Sequence, residues 1–158
     1  MDNFDLEILD RLQRNSRITT ETLGIEIGLS ATAVQRRIKK LKETGIIDKE
    51  IAVVNEALLG NAVTVIVEVA MKRGGTDVIG AFQKKAQSFN SVQQCYYVAG
   101  ENDFILIVKA DNLQHYEEIT RDLLLNDKNI HKFYSNIAMQ NVKVGLEYPI
   151  RKDKRTIT

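Results

Sequence analysis

Apolar residues recur with a helical period through the first part of the chain. Three stripes stand out: Phe4, Ile8 and Leu12; Leu23 and Ile27; and Ala31, Val34, Ile38 and Leu41. The first stripe predicts a helix over about residues 5–14, which Asn15-Ser16 ends. Thr19 or Thr20 is the N-cap of the second helix, and Gly28-Leu29 forms a tight turn after it.

Ser30 is the expected N-cap of the third helix, and Gly45 its end. Residues 46–54 alternate loosely between apolar and polar, which indicates a short strand or a hairpin arm. Three helices with a tight turn between the second and third predict a compact helix-turn-helix unit of the winged type.

Beyond residue 62 the pattern changes to β-strands and amphipathic helices. Strands are predicted over residues 63–69, 92–98, 104–110 and 130–142, with helices over residues 78–89 and 113–123. This β-α-β, turn, β-α-β order predicts a ferredoxin-like βαββαβ unit, so the fold class is α+β. Both helices cover one face of such a sheet. The other face is largely apolar, and self-association would cover it.

The expected organisation is residues 1–50 for the helix-turn-helix domain, 51–62 for a linker strand or hinge, 63–150 for the ferredoxin-like domain, and 151–158 for a basic tail. The composition, 44% hydrophobic and 27% charged over 158 residues, is that of a globular protein. No apolar run is long enough to span a membrane, and the acidic start is unlike a secretory signal. The single Cys95 excludes an intrachain disulfide. We therefore expect a cytoplasmic protein.

Charge is unevenly placed although the net charge is only +1. A seven-residue window without an acid holds Arg36, Arg37, Lys39, Lys40 and Lys42. Such a cationic face is the footprint of phosphate binding. The alternative is a solvated basic face on an ordinary helix.

The helical projection of this window suggests how it would read DNA. Thr32, Arg36 and Lys39 lie opposite the buried Val34, flanked by Ala33, Gln35 and Lys40. Small residues near the helix start permit close approach to a groove, and Gln and Arg address base edges. The predicted DNA contacts are Ser30, Thr32, Ala33, Gln35, Arg36, Arg37, Lys39 and Lys40, with Arg37, Lys39 and Lys40 assigned to phosphates.

Motifs along the whole chain occur in the order of a known family. They are Asp5-x-x-Ile8-Leu9, Asn15-Ser16-Arg17-Ile18-Thr19, Leu23, Gly28-Leu29-Ser30, Val34, Arg37-Ile38, Leu41, Gly45-x-Ile47, Arg73-Gly74, Val98-Ala99-Gly100-Glu101-Asn102-Asp103-Phe104 and Val142-Lys143. With them, residues 2–150 resemble the leucine- and asparagine-responsive (Lrp/AsnC) regulators. The resemblance implies a prokaryotic transcription regulator that binds double-stranded promoter DNA. It also implies a homodimer formed through the sheets, often assembled further into an octamer, and an amino-acid effector bound near a Gly-x-x-Asp turn.

Two positions depart from that family pattern. Lys49-Glu50 stands where the family commonly has Gly-Tyr, which puts the usual packing of the linker strand in doubt. Gly24 stands where the family usually has Ala, a helix weakener worth roughly 1 kcal/mol.

The turn at residues 100–103 suits the recognition of a free amino acid. Asp103 can accept from an ammonium group, and backbone N–H groups exposed at Gly100 can donate to a carboxylate. The candidate effector-binding residues are Gly100, Glu101, Asn102, Asp103, Ser135 and Asn136. The alternative is a plain hairpin turn that only satisfies backbone geometry.

No constellation in the sequence favours catalysis. His115 and His131 lack partners at metal-ligand spacing, and we expect no cofactor, no metal and no enzymatic activity. The predicted function is a DNA-binding transcriptional regulator that responds to a small effector, most simply an amino acid. The alternative is an architectural, chromatin-like DNA binder without an effector.

Overall fold

The computed structural model describes residues 1–60, 63–72 and 75–150. The chain forms two compact units. Of the described residues, the helical unit comprises Met1–Val53 together with residues 143–150, and the sheet unit lies within Val54–Val142. The Arg73-Gly74 motif and the basic tail at 151–158 lie outside the described residues.

The helical unit contains α1 (Asn3–Arg14), α2 (Thr20–Ile27) and α3 (Ala31–Glu43). Each helix begins at a side chain that accepts a backbone N–H: Asp2 from Asp5, Thr19 from Thr22, and Ser30 from Ala33. The caps expected at Thr19 and Ser30 are thus confirmed, and α1 begins two residues earlier than predicted. The helices enclose a small core of Ile8, Leu23, Ile27, Val34 and Leu41.

Gly24 and Gly28 shape the turn that gives the helix-turn-helix its bend. Gly28 is left-handed (φ 74°, ψ 35°) and ends α2. The Gly24 carbonyl accepts the N–H of Leu29 at 2.9 Å. A Cβ on Gly24 would lie only 2.5 Å from the Leu29 carbonyl oxygen. Gly24 is therefore required by close packing, which the sequence interpretation as a mild weakness missed.

No strand forms over residues 46–60, all of which the structure describes. The short strand or hairpin arm predicted over residues 46–54 is therefore not formed in the single chain. Of the linker strand or hinge predicted over residues 51–62, the described part, residues 51–60, contains no strand. The only regular element there is a short 3₁₀ turn, Glu56–Leu58. A strand needs a neighbouring strand to hydrogen-bond with, and among the described residues the sheet consists of β1 to β4 without this segment. Ile51 and Val53 are left exposed.

The sheet unit contains β1 (Val63–Met71), α4 (Thr76–Ser88), β2 (Val92–Tyr97), β3 (Phe104–Ala110), α5 (Leu113–Thr120) and β4 (Ile130–Ile137). A π-helical turn, Arg121–Leu125, extends α5. The strands are antiparallel in the order β2-β3-β1-β4, the expected ferredoxin-like topology. β4 ends five residues before the predicted 142. Ile137 pairs with Val65, close to the first residue of β1, so β1 offers few further residues with which β4 could pair.

Alternation along the strands divides the sheet into a covered and an open face. Val65, Val67, Val69, Phe104, Leu106 and Val108 pack with Phe82 and Ala86 of α4 and Ile119 of α5. The opposite side, which we call the open sheet face, presents Ile66, Glu68, Tyr96, Ile105, Ile107, Tyr134 and Asn136. Ile66, Tyr96 and Tyr134 are exposed, so this face retains large apolar side chains without cover.

The segment after β4 returns to the helical unit. The side-chain amide of Gln13 accepts the Tyr148 N–H at 2.6 Å and donates to the Tyr148 carbonyl at 3.1 Å. This reciprocal pair resembles one step of a β-ladder. Residues 143–150, which the sequence pattern assigned to the ferredoxin-like domain, thus lie with the helical unit in this structure.

Candidate DNA-binding and effector sites

One side of α3 is buried and the other carries the predicted DNA contacts. Val34 and Leu41 are buried in the helical core. Most of the predicted contacts are exposed, and Ala33 is half-buried; the exposed ones are Ser30, Thr32, Gln35, Arg36, Lys39 and Lys40. The Ser30 hydroxyl caps the helix by accepting the Ala33 N–H at 3.2 Å. The helix therefore begins at a surface where small and polar side chains are accessible.

The cations of α3 differ in their surroundings. Within the described residues, Arg36 and Lys40 form no ion pair. Lys39 lies 3.7 Å from Glu43. Lys42, which is not among the predicted DNA contacts, lies 2.7 Å from Glu50. Exposed pairs such as Lys39–Glu43 contribute little and exchange readily. Arg36, Lys40 and Lys39 are thus the cations available to a polyanion.

Arg37 is placed differently from its neighbours. Its Nη1 lies 2.7 Å from Asp5 and 2.9 Å from Asp2, and the guanidinium carbon lies 5.5 Å from the centre of the Phe4 ring. The hydrogen bond to Asp5 is the chief cause that raises the pKa of Arg37. The structure therefore does not bring Arg37 together with the other predicted phosphate contacts.

The turn between β2 and β3 is tied to the neighbouring strand through Asp103. Its carboxylate Oδ2 accepts the Met71 N–H at 2.7 Å, and its own N–H donates to the Val69 carbonyl at 2.9 Å. One oxygen of Asp103 thus already has a backbone donor. Gly100 does not have a positive φ, and a Cβ there would meet nothing within 4 Å. The space beside Gly100 is open.

A polar cluster on the open sheet face joins two of the predicted effector residues. The amide of Asn102 donates to Glu68 Oε2 at 2.7 Å, and the amide of Asn136 donates to Glu68 Oε1 at 3.2 Å. Asn102 Oδ1 is buried and lacks a hydrogen-bond partner among the described residues. The sequence reasoning missed Glu68, although a lone charge in an apolar strand was a usable signal. This carboxylate and the unpaired amide oxygen together offer acceptors to an incoming donor.

Ser135 and Glu101 lie apart from that cluster. The Ser135 hydroxyl is 2.6 Å from the Tyr116 hydroxyl of α5, on the helix-covered side of the sheet. Glu101 lies 3.1 Å from Lys132, and that hydrogen bond is the main cause raising the pKa of Lys132. The structure thus brings Asn102 and Asn136 together, whereas Ser135 lies on the opposite face of the sheet. Consecutive side chains of a strand point to opposite faces, and Ser135 directly precedes Asn136.

Other chemically suggestive groups have plain surroundings. His115 Nδ1 lies 3.0 Å from Asp111 at the start of α5. Burial raises the pKa of the Cys95 thiol, which packs against the sheet core. Within the described ranges no group of three or more His, Cys, Asp or Glu side chains could hold a metal ion. No helix in those ranges is long and apolar enough to cross a membrane.

Comparisons with known proteins match both units. Residues 1–42 match the model of the AsnC-type helix-turn-helix domain, and residues 64–147 match that of the Lrp/AsnC ligand binding domain. An uncharacterised HTH-type transcriptional regulator of Sinorhizobium fredii, y4tD, is 37% identical over 95% of this chain and 89% of its own. The leucine-responsive regulatory protein of Haemophilus influenzae is 32% identical over 90% of this chain and 86% of its own.

Solved structures give the same result. An AsnC family transcriptional regulator from Agrobacterium tumefaciens superposes with a TM-score of 0.88 at 28% identity, covering 94% of this chain and 97% of that one. The regulator NMB0573 of Neisseria meningitidis, solved in complex with L-Met, superposes with a TM-score of 0.86 at 23% identity, covering 94% of this chain and 96% of that one.

The fold and these matches define a two-domain transcriptional regulator with a helix-turn-helix and a ligand-binding domain. The chain belongs to the Lrp/AsnC family.

Proposed function

We propose that the protein binds double-stranded promoter DNA through the exposed side of α3. The observation that carries this proposal is the exposure of Gln35, Arg36 and Lys40 on a helix whose other side is buried. Gln35 and Arg36 read base edges, while Lys39 and Lys40 contact phosphates. Thr32 and Ala33 allow close approach, and Ser30 leaves backbone N–H groups at the helix start for a phosphate. This activity places the protein in the cytoplasm.

The protein acts as a homodimer, which assembles further into an octamer. The open sheet face supports this proposal because Ile66, Tyr96 and Tyr134 are exposed on it, and a second sheet would remove them from water. Two-fold symmetry sets two recognition helices about one DNA turn, roughly 34 Å, apart. Several weak contacts then act together on one DNA.

The effector is a small amino acid bound at the turn of residues 100–103. The Glu68–Asn102–Asn136 cluster supports this assignment, because its acceptors match the donors of an ammonium group. The remaining oxygen of Asp103 adds a second negative acceptor. The L-Met complex of NMB0573 is a fold relative in which an amino acid is bound. Effector binding shifts assembly and hence DNA affinity, a coupling of about 1–3 kcal/mol in typical cases.

The test of the whole proposal is a footprint on DNA upstream of the protein's own gene, with and without pooled amino acids. Protection at helical-turn intervals that changes with the pool is the expected result. Protection unchanged by the pool would favour the architectural binder without an effector. Absence of protection at low salt, on this and on random DNA, would refute the role of α3.

Substitutions separate the two sites. Arg36→Ala should relax sequence preference, whereas Lys40→Ala should weaken all DNA similarly and flatten the dependence on salt. Asp103→Ala and Glu68→Gln should remove the response to the amino-acid pool while DNA binding without the pool is retained. A full response in both variants would exclude this turn as the effector site.

A further inference from the structure

Arg37 couples the recognition helix to the first residues of the chain. Its Nη1 is held by two carboxylates, Asp5 at 2.7 Å and Asp2 at 2.9 Å, and Phe4 lies beside the guanidinium. We call these four residues the Arg37 clamp. Arg37 and Asp5 have side chains exposed by only 26% and 15%, so the contact is partly screened from water.

The two acids are themselves fixed by the start of α1. The Asp2 side chain accepts the Asp5 N–H at 3.0 Å, and the Asp5 side chain accepts the Asp2 N–H at 2.9 Å. This reciprocal capping box sets both carboxylates at a helix start, where negative charge is favoured. Although burial opposes the shift, hydrogen bonds from the Asp5 N–H and Arg37 lower the pKa of Asp2. The acids are therefore a preorganised receptor for a cation on α3.

We infer that Arg37 is a positioning residue, which fixes α3 on α1 so that the reading side of α3 is presented to DNA, and that it is not a phosphate contact. Moving Arg37 to a phosphate would leave two adjacent carboxylates unpaired, with one of them largely buried. It would also leave them facing a polyanion. This inference rests on the proposed DNA-reading side of α3.

The decisive variant is Asp5→Asn, because the two roles of Arg37 predict opposite signs. If Arg37 is a phosphate contact held back by Asp5, loss of this acid releases it and tightens binding. If Arg37 is a positioning residue, the same change loosens α3 and weakens binding about two- to fivefold, the range of partly exposed ion pairs. Affinity of the full chain for a mixed-sequence duplex, measured over a salt series, gives the answer.

Arg37→Gln and Lys40→Gln form a matched pair, since each removes one charge from α3. Log affinity falls linearly with log salt, and Lys40→Gln should make this decrease shallower by about 0.9 without changing the Tm. Arg37→Gln should leave the slope unchanged and lower both the Tm and the affinity. Arg37→Gln in the Asp5→Asn background should add little further loss, as expected for partners in one interaction.

The outcomes distinguish failure of the positioning role of Arg37 from failure of the proposed DNA-reading side of α3. Tighter or unchanged binding by Asp5→Asn, or a reduced salt slope in Arg37→Gln with an unchanged Tm, overturns the positioning role. If Lys40→Gln and Arg36→Ala change neither affinity nor slope, the proposed reading side of α3 itself fails. Should Asp5→Asn unfold the helical unit, Asp2→Asn, which leaves the pair to Asp5 intact, must weaken binding in the same direction.

Discussion

The helical unit and the sheet unit bury very different amounts of apolar side chain. Among the described residues, the helical core consists of five buried side chains, whereas the sheet core has thirteen. Both units also contain polar links between distant residues, such as the Arg11–Glu26 pair at 2.6 Å in the helical unit and the Lys109–Glu56 pair at 2.7 Å in the sheet unit. Because the helical core is the smaller one, we expect the helical unit to depend more on its polar contacts than the sheet unit does.

The largest expected effect is the loss of a core leucine from each unit. Leu23 and Leu106 are both fully buried, and truncation to Ala costs about 2–5 kcal/mol. Leu23→Ala should unfold the small helical unit and abolish DNA binding, since few other core contacts remain. Leu106→Ala should lower the Tm of the sheet unit but leave it folded at room temperature. Calorimetry and DNA titration test both, and the reverse ranking would contradict the comparison.

Next in size is a pair of glycine substitutions with opposite signs. Gly24→Ala should destabilise the helical unit by about 1–3 kcal/mol, because its Cβ would meet the Leu29 carbonyl oxygen. Gly80→Ala, inside α4 where a Cβ meets nothing within 4 Å, should stabilise the sheet unit by about 0.5–1 kcal/mol. Thermal unfolding of the two variants measures both signs. Equal changes in Tm for the two variants would mean that the turn after α2 moves without cost to accommodate the added methyl group at residue 24.

Local features were predictable from the sequence because their causes lie within a few residues. The caps Thr19 and Ser30 each bond a backbone N–H three positions later. The ferredoxin-like topology was predictable in another way, from the β-α-β, turn, β-α-β order of the elements along the chain. The Arg37 clamp, the Gln13–Tyr148 pair and the environment of Glu68 join residues between 32 and 135 positions apart. No periodicity encodes such pairings, so the polar partners of both sites emerged only in three dimensions.

A smaller effect is expected at the contact that ties the last described segment to α1. Gln13→Ala removes both hydrogen bonds to Tyr148 and should cost about 1 kcal/mol or less, since the contact is exposed to water. Amide hydrogen exchange at Tyr148 should accelerate. Gln114→Ala, on the exposed side of α5, is the control that should leave it unchanged. Unaltered exchange at Tyr148 in Gln13→Ala would show that other contacts hold the segment.

The smallest expected effect is a pH dependence confined to the helical unit. The pKa of Asp2 is lowered in the folded state, with burial opposing the hydrogen bonds from the Asp5 N–H and Arg37. Its contribution is therefore present above the ordinary Asp pKa of about 3.9 and is lost as the pH falls through the lowered value. Asp2→Asn should flatten the decrease in Tm between about pH 5 and about pH 2. A decrease as steep as in the wild type would exclude Asp2 as its source.

The return of the chain to the helical unit has a consequence for synthesis on the ribosome. The helices α1, α2 and α3 leave the ribosome before the sheet unit, but Gln13 can bind Tyr148 only after that residue, 135 positions later, has been synthesised. At about 5–20 residues per second, this delay lasts roughly 7–27 s. During that time the nascent helices must hold together without their final contact, while the whole sheet is still being translated. The helical unit thus begins to fold before the sheet unit, but gains its Gln13–Tyr148 contact only after the sheet unit has been synthesised.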